Sequence, residues 1–361
     1  MPSKLSMKDE ILRQFGQKLQ KWRLIQNLSQ EQLAEIINVD RTYISLLERG
    51  KRNPSLICIK SLAEALNINL NELILIPEWQ ENLQNFCHKY NIDMENLADV
   101  LNDPKVIPMI RGKAFEFTIK TLISNILPSA RYQISNPKIN AQTGLEDVDV
   151  AIYDQEQDKI YSAECKLAAK GEFKLDNNIP RIKVKCMRSR TLGETAARQK
   201  AKRTNLDFEL LMIHNDQYVI QDFDLVVTSI ANAFYETDEQ GLFYWCPPEE
   251  AKDFLTKINA TTQDEAFYKI YIARSDQLSV NGSNKTGQKV IKCTRTKKRK
   301  TGKKDAQGND LYHRTCPEVL KNLNMKYCHF IPNYPVIYFD PQTGEPLSPW
   351  VKLENLESLL Y

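Results

Sequence analysis

Two short segments near the middle of the chain constrain it most. Asp147-Val148-Asp149-Val150-Ala151-Ile152 and Ile160-Tyr161-Ser162-Ala163-Glu164-Cys165-Lys166 both alternate apolar and polar residues, with the polar stretch Gln155-Glu156-Gln157-Asp158 between them. Alternation with period two marks a strand whose faces differ, and two such runs around a short polar connection read as a hairpin. Pairing Tyr153-Asp154 with Lys159-Ile160 fixes the register by counting, so that Asp149 falls opposite Glu164 and Asp147 opposite Lys166. Asp147, Asp149, Glu164 and Lys166 then share one face. Val148, Val150, Ile152, Ala163 and Cys165 share the other, which is apolar enough to be covered by helices. Carboxylates beside a lysine on one sheet face suit a hard divalent cation held next to a phosphodiester.

This arrangement resembles the PD-(D/E)XK nuclease superfamily, whose signature is an acid, a gap, then acid-x-Lys on the next strand. Asp149 and Glu164-Cys165-Lys166 fit it at a spacing of 15 residues (164 − 149), with Val148 standing where the motif has its proline. Upstream, Arg111-Gly112-Lys113-Ala114-Phe115-Glu116 opens an apolar-periodic helix through Phe115, Ile119, Leu122, Ile123 and Ile126. It is similar to the first core helix of many such nucleases, where a glutamate reaches the same metal site. The resemblance implies an α/β restriction-endonuclease-like core. In it Asp149, Glu164, the backbone carbonyl of Cys165 and Glu116 would hold Mg²⁺, with Mn²⁺ as a substitute, and Lys166 would orient water and phosphate. By that likeness the chain is a type II restriction endonuclease acting on double-stranded DNA. A homodimer is expected because two strands need two sites, and a cognate DNA methyltransferase would protect the host. Two other readings stay open: a transcriptional regulator whose nuclease-like part is inactive, and a structure- or modification-directed nuclease.

Residues 9–76 carry a second pattern. Phe15, Leu19 and Trp22 to Leu24 mark an amphipathic helix, and Ser29 with Gln32 spells a capping box before the next. Asp40 caps a further helix through Tyr43, Ile44 and Leu47, which Gly50 ends. Pro54-Ser55 restarts the chain toward Leu62 and Leu66, and a short helix follows through Leu70 and Leu73. Leu-Ser-Gln-x-x-Leu-Ala followed by Tyr-Ile-Ser-x-x-Glu-Arg-Gly-x-x-x-Pro resembles the Cro/phage-repressor (XRE-type) helix-turn-helix. The likeness puts Gln30 at the start of the positioning helix and Arg41, Thr42 and Ser45 where base edges are read. It puts Arg49, Lys51, Arg52 and Asn53 along the adjacent phosphates, and Ala34 and Ile44 in the core.

The organisation expected is multidomain. An all-α helix-turn-helix domain (1–76) is followed by a helical connector (77–105), the nuclease core (106–233) and a C-terminal α+β extension (234–361). The connector shows two helical patterns (Trp79, Leu83, Phe86; Met94, Leu97, Val100) split at Asn91. After Lys166 the sequence suggests a basic helix from Glu194 to Lys202. Strands are expected at 208–213, 218–220, 225–227, 243–245, 267–272, 290–291 and 336–339.

Net charge is only +3, so its distribution matters more than its sum. Residues 181–203 hold nine Lys/Arg against Glu194 alone, and residues 285–304 hold ten Lys/Arg and no acid. Such segregation suits a polyanion. Lys183, Lys185, Arg198, Gln199 and Lys202 are expected on the DNA approach. Lys297, Lys298, Arg299 and Lys300 are expected on phosphates, in a basic hairpin or loop ahead of the turn-like cluster 305–310. No apolar run approaches ~18 residues, so no spanning helix is expected. Eight cysteines without a Cys-x-x-Cys pair read as reduced thiols in a cytoplasmic protein. Cys293, Cys316, Cys328 and His329 are a set that could gather around zinc, at irregular spacing. His214 reads as a strand-end residue. No Gly-x-x-x-x-Gly-Lys-[Ser/Thr] loop occurs, which argues against NTP-driven translocation.

Overall fold

The computed structural model describes residues 7–73, 78–137, 148–281 and 291–361, and the chain divides into two compact units between Val100 and Leu101. Asp147, residues 74–77 and the basic residues Lys285 and Lys289 lie outside the described residues, as does Val290.

The first unit is all α: α1 (Met7–Ile25), α2 (Gln30–Ile36), α3 (Arg41–Glu48), α4 (Leu56–Ala65) and α5 (Leu70–Leu73). Local chemistry sets the boundaries. Ser29 and Gln32 make a reciprocal capping box on α2, and the Asp40 carboxylate accepts from the Thr42 N–H at the start of α3. Gly50 adopts φ +67° just past α3, and its N–H donates to the Leu47 carbonyl, a turn that favours glycine. The buried faces meet in one core of Leu19, Leu33, Ala34, Ile44, Leu47, Leu62 and Leu66. Two further helices follow, α6 (Glu78–Lys89) and α7 (Leu97–Asn102), separated by a turn in which Asn91 takes a left-handed conformation.

The second unit is mixed α/β with several sheets. It opens with α8 (Ile107–Ile126), four residues earlier than the Arg111 start expected, since Pro108 is tolerated in a first turn. Then come β1 (Tyr132–Ser135), β2 (Val150–Asp154), β3 (Lys159–Cys165), β4 (Ala168–Asp176) and β5 (Ile179–Val184). They are followed by α9 (Glu194–Thr204), α10 (Phe208–Ile213), β6 (Leu225–Ser229), β7 (Tyr235–Thr237), β8 (Phe243–Trp245), α11 (Lys252–Lys257), α12 (Gln263–Phe267), β9 (Ile270–Arg274) and α13 (Ser275–Leu278). Last come β10 (Lys300–Lys304), β11 (Asp310–Tyr312), α14 (Cys316–Asn322), β12 (Val336–Tyr338) and β13 (Val351–Lys352).

The main sheet runs β1-β2-β3-β6-β9-β13, and a second runs β12-β5-β4. Strand β3 pairs parallel with β6, and the other main-sheet pairs are antiparallel. Strands on both sides of residue 233 build this sheet, because β6 pairs with β9 and β9 with β13. Alternation sorts the side chains onto two faces. Val150, Ile152, Ala163, Leu225, Val227 and Ile272 pack against Phe115, Ile119 and Ile123 of α8 and against Leu353, Leu356 and Leu359. Val226, Tyr271 and Ala273 face the second core, with Ile182 and Val184 of β5, Phe254 and Trp350. Every residue of β6 is buried, as a strand covered on both faces requires.

Three expected strands are corrected. Residues 208–213 form helix α10, because the Asp207 carboxylate accepts from the Leu210 N–H and caps a helical turn. Residues 218–220 contribute a single bridge, Val219 to Phe330. Residues 267–272 split between the end of α12 and the start of β9. The end of the basic run, Lys300–Lys304, is strand β10 of the β10–β11 hairpin, whose turn is held by the Asp305 carboxylate accepting from the N–H groups of Gln307 and Asn309.

Candidate functional site

The β2–β3 register is the one counted from sequence: Tyr153 pairs with Ile160 and Val150 with Ala163, which brings Asp149 opposite Glu164. Asp149 stands just ahead of β2. Glu164 lies near the end of β3, and Lys166 follows it with its N–H donating to the Val227 carbonyl of β6 at 2.8 Å. The three line a cavity of about 520 Å³ together with Glu116 of α8, Arg188, Gln199, Lys200 and Tyr218. A second hollow of about 720 Å³ shares Glu116 and Lys166 and is walled by Arg111, Lys170, Lys183 and Lys185.

Inside the first cavity every acid has partners. The Cys165 N–H donates to Asp149 Oδ2 at 2.8 Å. Glu164 Oε1 accepts from the Tyr218 hydroxyl at 2.9 Å and pairs with Lys166 Nζ at 2.5 Å. Burial, and then the neighbouring Glu164 carboxylate, push the Asp149 carboxyl up to about 7, against the pull of Lys166. Burial opposes the charge on Lys166, but Glu164, Tyr218 and Asp149 outweigh it and hold the ammonium above its ordinary range. Burial and the Glu164 charge push the Tyr218 phenol up, so it stays a donor. Burial and then Asp149 likewise keep the Cys165 thiol neutral.

These donors fit a hard cation. One oxygen of each carboxylate, Asp149 Oδ1 and Glu164 Oε2, is left by the contacts above, and all are oxygen ligands of the kind that Mg²⁺ or Mn²⁺ takes. Two carboxylates removed from water, one of them driven toward its neutral form, are relieved by a divalent charge. Glu116 stands apart from this pair in one respect: its carboxylate is held by Lys113, one turn earlier on α8. Among the described residues, the three acids do not gather as tightly as one closed ligand group.

Sequence reading missed three contributors on the same cavity wall. The sequence places Tyr218 in the strand expected at 218–220, whereas its hydroxyl reaches Glu164. Arg188 stacks over the Tyr218 ring at 4.8 Å, and Asp222 accepts from both Arg188 and Lys200. The available signal was the density of Lys/Arg in 181–203. The expected approach residues divide. Gln199 reaches the cavity wall and Lys185 the second hollow. Lys183 is paired with Glu172 at 2.7 Å, and Arg198 with Glu194 at 2.9 Å and with the Phe208 ring. Lys202 is exposed on α9. On the hairpin side Lys297, Lys298, Arg299 and Lys300 are all exposed, and Lys300 is paired with Asp310.

In the first unit Arg41 and Thr42 are exposed at the start of α3, Ser45 is half-buried one turn on, and Arg49, Lys51, Arg52 and Asn53 follow on the surface. Gln30 does not simply face outward: its Nε2 donates to Glu48 Oε2 at 2.7 Å. Glu48 is buried and accepts from Arg23 Nε at 2.6 Å and Nη2 at 3.1 Å. Helices α1, α2 and α3 are thus tied through one carboxylate.

Known proteins match this chain in its first unit, by sequence. The family model described as HTH_3, Helix-turn-helix, matches residues 19–73. Control protein C.MunI of Mycoplasma sp is 46% identical over 66 residues, which is 18% of this chain and 89% of that protein. Control protein C.SmaI of Serratia marcescens is 45% identical over 60 residues, 17% of this chain and 71% of that protein. The solved restriction-modification controller protein C.AhdI from Aeromonas hydrophila shares 48% identity over 18% of this chain and 96% of its own, at a TM-score of 0.17. The chain belongs to the helix-turn-helix family, and its N-terminal DNA-binding region is similar to restriction-modification controllers. No helix among the described residues is long and apolar enough to cross a membrane.

Proposed function

We propose that this chain is a metal-dependent, sequence-specific endonuclease of double-stranded DNA, of the type II restriction kind, that carries its own helix-turn-helix reader. The observation that supports the catalytic half is the single cavity lined by Asp149, Glu164 and Lys166 at the end of paired strands. A bound Mg²⁺ would supply charge to the phosphoryl oxygens and acidify a water. Asp149 Oδ1, Glu164 Oε2 and the Cys165 carbonyl would hold the ion, with Glu116 joining once it leaves Lys113. Lys166, kept charged by Glu164, orients the attacking water and the scissile phosphate. Tyr218 fixes the Glu164 carboxylate by donating to it. On the same wall Arg188 and Lys200 share the Asp222 carboxylate, and with Arg203 they leave a net positive lining toward a phosphodiester backbone.

For the first unit, the reader docks α3 in the major groove, with Arg41, Thr42 and Ser45 toward bases. Leu56 and Ile57, 69% and 79% exposed at the start of α4, supply an apolar surface for a second copy and support a homodimer. A methyltransferase acting on the same DNA would accompany such an enzyme.

A second reading is favoured by the relatives, which are named control proteins: the chain regulates transcription and its second unit does not cut. Purified full chain incubated with Mg²⁺ and unmethylated phage DNA separates the two. Discrete fragments that vanish with a chelator are expected. Intact DNA at every metal concentration, with specific retention of the gene's own upstream region, would favour regulation.

A further inference from the structure

His214, Cys293, Cys316 and Cys328 converge from four places in the second unit. His214 caps the C-terminus of α10, Cys316 opens α14, and Cys293 and Cys328 come from connecting segments. Their ligand atoms all lie within 4.8 Å of one another. We propose that these four side chains form a closed, structural zinc site that anchors both ends of the basic hairpin.

Geometry and chemistry agree. Around tetrahedral zinc, Zn–S of ~2.3 Å and Zn–N of ~2.05 Å place a sulfur and a nitrogen ligand about 3.6 Å apart, and Cys293 Sγ lies 3.8 Å from His214 Nε2. The other ring nitrogen is already engaged. His214 Nδ1 lies 2.5 Å from Gln217 Oε1, and Gln217 Nε2 donates to the Ile331 carbonyl at 3.0 Å. With Nδ1 as the donor, the Nε2 lone pair points at the thiols, the outer arrangement that orients zinc-bound imidazoles. Phe330 stacks on the ring at 4.1 Å and holds its plane. The Arg295 N–H donates to Cys293 Sγ at 3.3 Å, a contact that favours thiolate. None of the three cysteines is in a disulfide, and His214, Cys316 and Cys328 are buried. Three thiolates and one imidazole select zinc over hard cations, and burial leaves no open position for substrate.

The set differs from the one sequence spacing suggested. The three cysteines are the same, but the fourth member is His214, not His329. His329 sits beside Cys328 in chain order, with φ 56° and its ring against Tyr327. The role follows from placement. Cys293 and Cys316 bracket residues 294–315, which hold β10, β11 and the exposed cations. The local core around Leu210, Val319 and Phe330 is smaller than the two that flank the main sheet, so a bound metal would add to its folding energy. This inference is independent of whether the second unit cuts DNA.

The test uses the reduced full chain without a metal-binding tag. Elemental analysis is expected to return about one zinc per chain. Cobalt exchanged into the chain should show the visible absorption of a tetrahedral ion with thiolate charge transfer. Gln217→Ala should weaken zinc by about 10- to 100-fold in competition with a chelator. Cys293→Ser should lose stoichiometric zinc, and His329→Asn should retain it. A chain that takes up no zinc, an octahedral cobalt spectrum, or a disulfide among the three thiols would each overturn the site. So would zinc lost from His329→Asn but kept by Cys293→Ser. The cobalt spectrum of the unaltered chain decides the matter even if a substituted chain fails to fold.

Discussion

Glu164 spends one oxygen, Oε1, on both Tyr218 and Lys166, and leaves Oε2 to the cavity. The phenol therefore sets where the carboxylate points. Tyr218→Phe removes that donor while keeping the ring under Arg188. A hydrogen bond to a charged group is worth about 1.5–3 kcal/mol, so Mg²⁺-dependent cleavage should fall by about 10- to 100-fold while thermal unfolding stays within a few degrees. Unchanged single-turnover rates would remove Tyr218 from the site. In the first unit the comparable residue is Glu48, with Arg23 on one side and Gln30 on the other. Removing one partner of a buried pair leaves the other charge uncompensated, at a cost of about 3–5 kcal/mol. Arg23→Ala should therefore lower the stability of the first unit by that amount in denaturant titration. Breaking the exposed Lys60–Glu64 pair should cost only about 0.3–0.5 kcal/mol.

Elements differ in how openly the sequence declares them. The helix-turn-helix was legible because its signals are local: Ser29 with Gln32, Asp40 with Thr42, Gly50 after Leu47. The β2–β3 register was legible because the short polar loop pairs Asp154 with Lys159, and alternation with period two then puts Asp149 and Glu164 on one face. Residues 208–213 misled because a short run with five apolar residues around Glu209 fits a short strand or a short helix equally, and the Asp207 cap decided it. Helix α3 and the basic hairpin carry separate predictions. Arg41→Ala should relax sequence preference at a cost of about 1–3 kcal/mol if it pairs with guanine, measured by titration of duplexes that differ at one base. Neutralising Lys297, Lys298, Arg299 and Lys300 together should weaken binding to all duplexes alike. Because Lys300 already pairs with Asp310, the slope of log K against log salt should become shallower by about three units, not four. A salt slope that does not move would take the hairpin off the phosphates.

At the scale of the molecule, the sequence declared two parts of different character, and the chain folds as an α-helical unit followed by an α/β unit. What it could not declare was long-range assembly. Strand β9 joins β6 from 45 positions away (270 − 225), and the thiols meet a histidine 79 positions upstream of Cys293. No local pattern encodes such meetings, since they depend on which faces remain to be buried after the nearer elements have packed. The proximity of His329 to Cys328 in sequence was the misleading cue.

The proposed activity places both steps in one chain: it binds DNA, and the cavity of Asp149, Glu164 and Lys166 hydrolyses it. The direct measurement compares the unaltered chain with Lys166→Ala on one unmethylated duplex, following binding and Mg²⁺-dependent cleavage side by side. Lys166→Ala is expected to bind within a few-fold of the unaltered chain, with cleavage below detection. Equal cleavage by both would contradict the assigned site, and binding without cleavage by either would leave the second unit without the activity proposed for it.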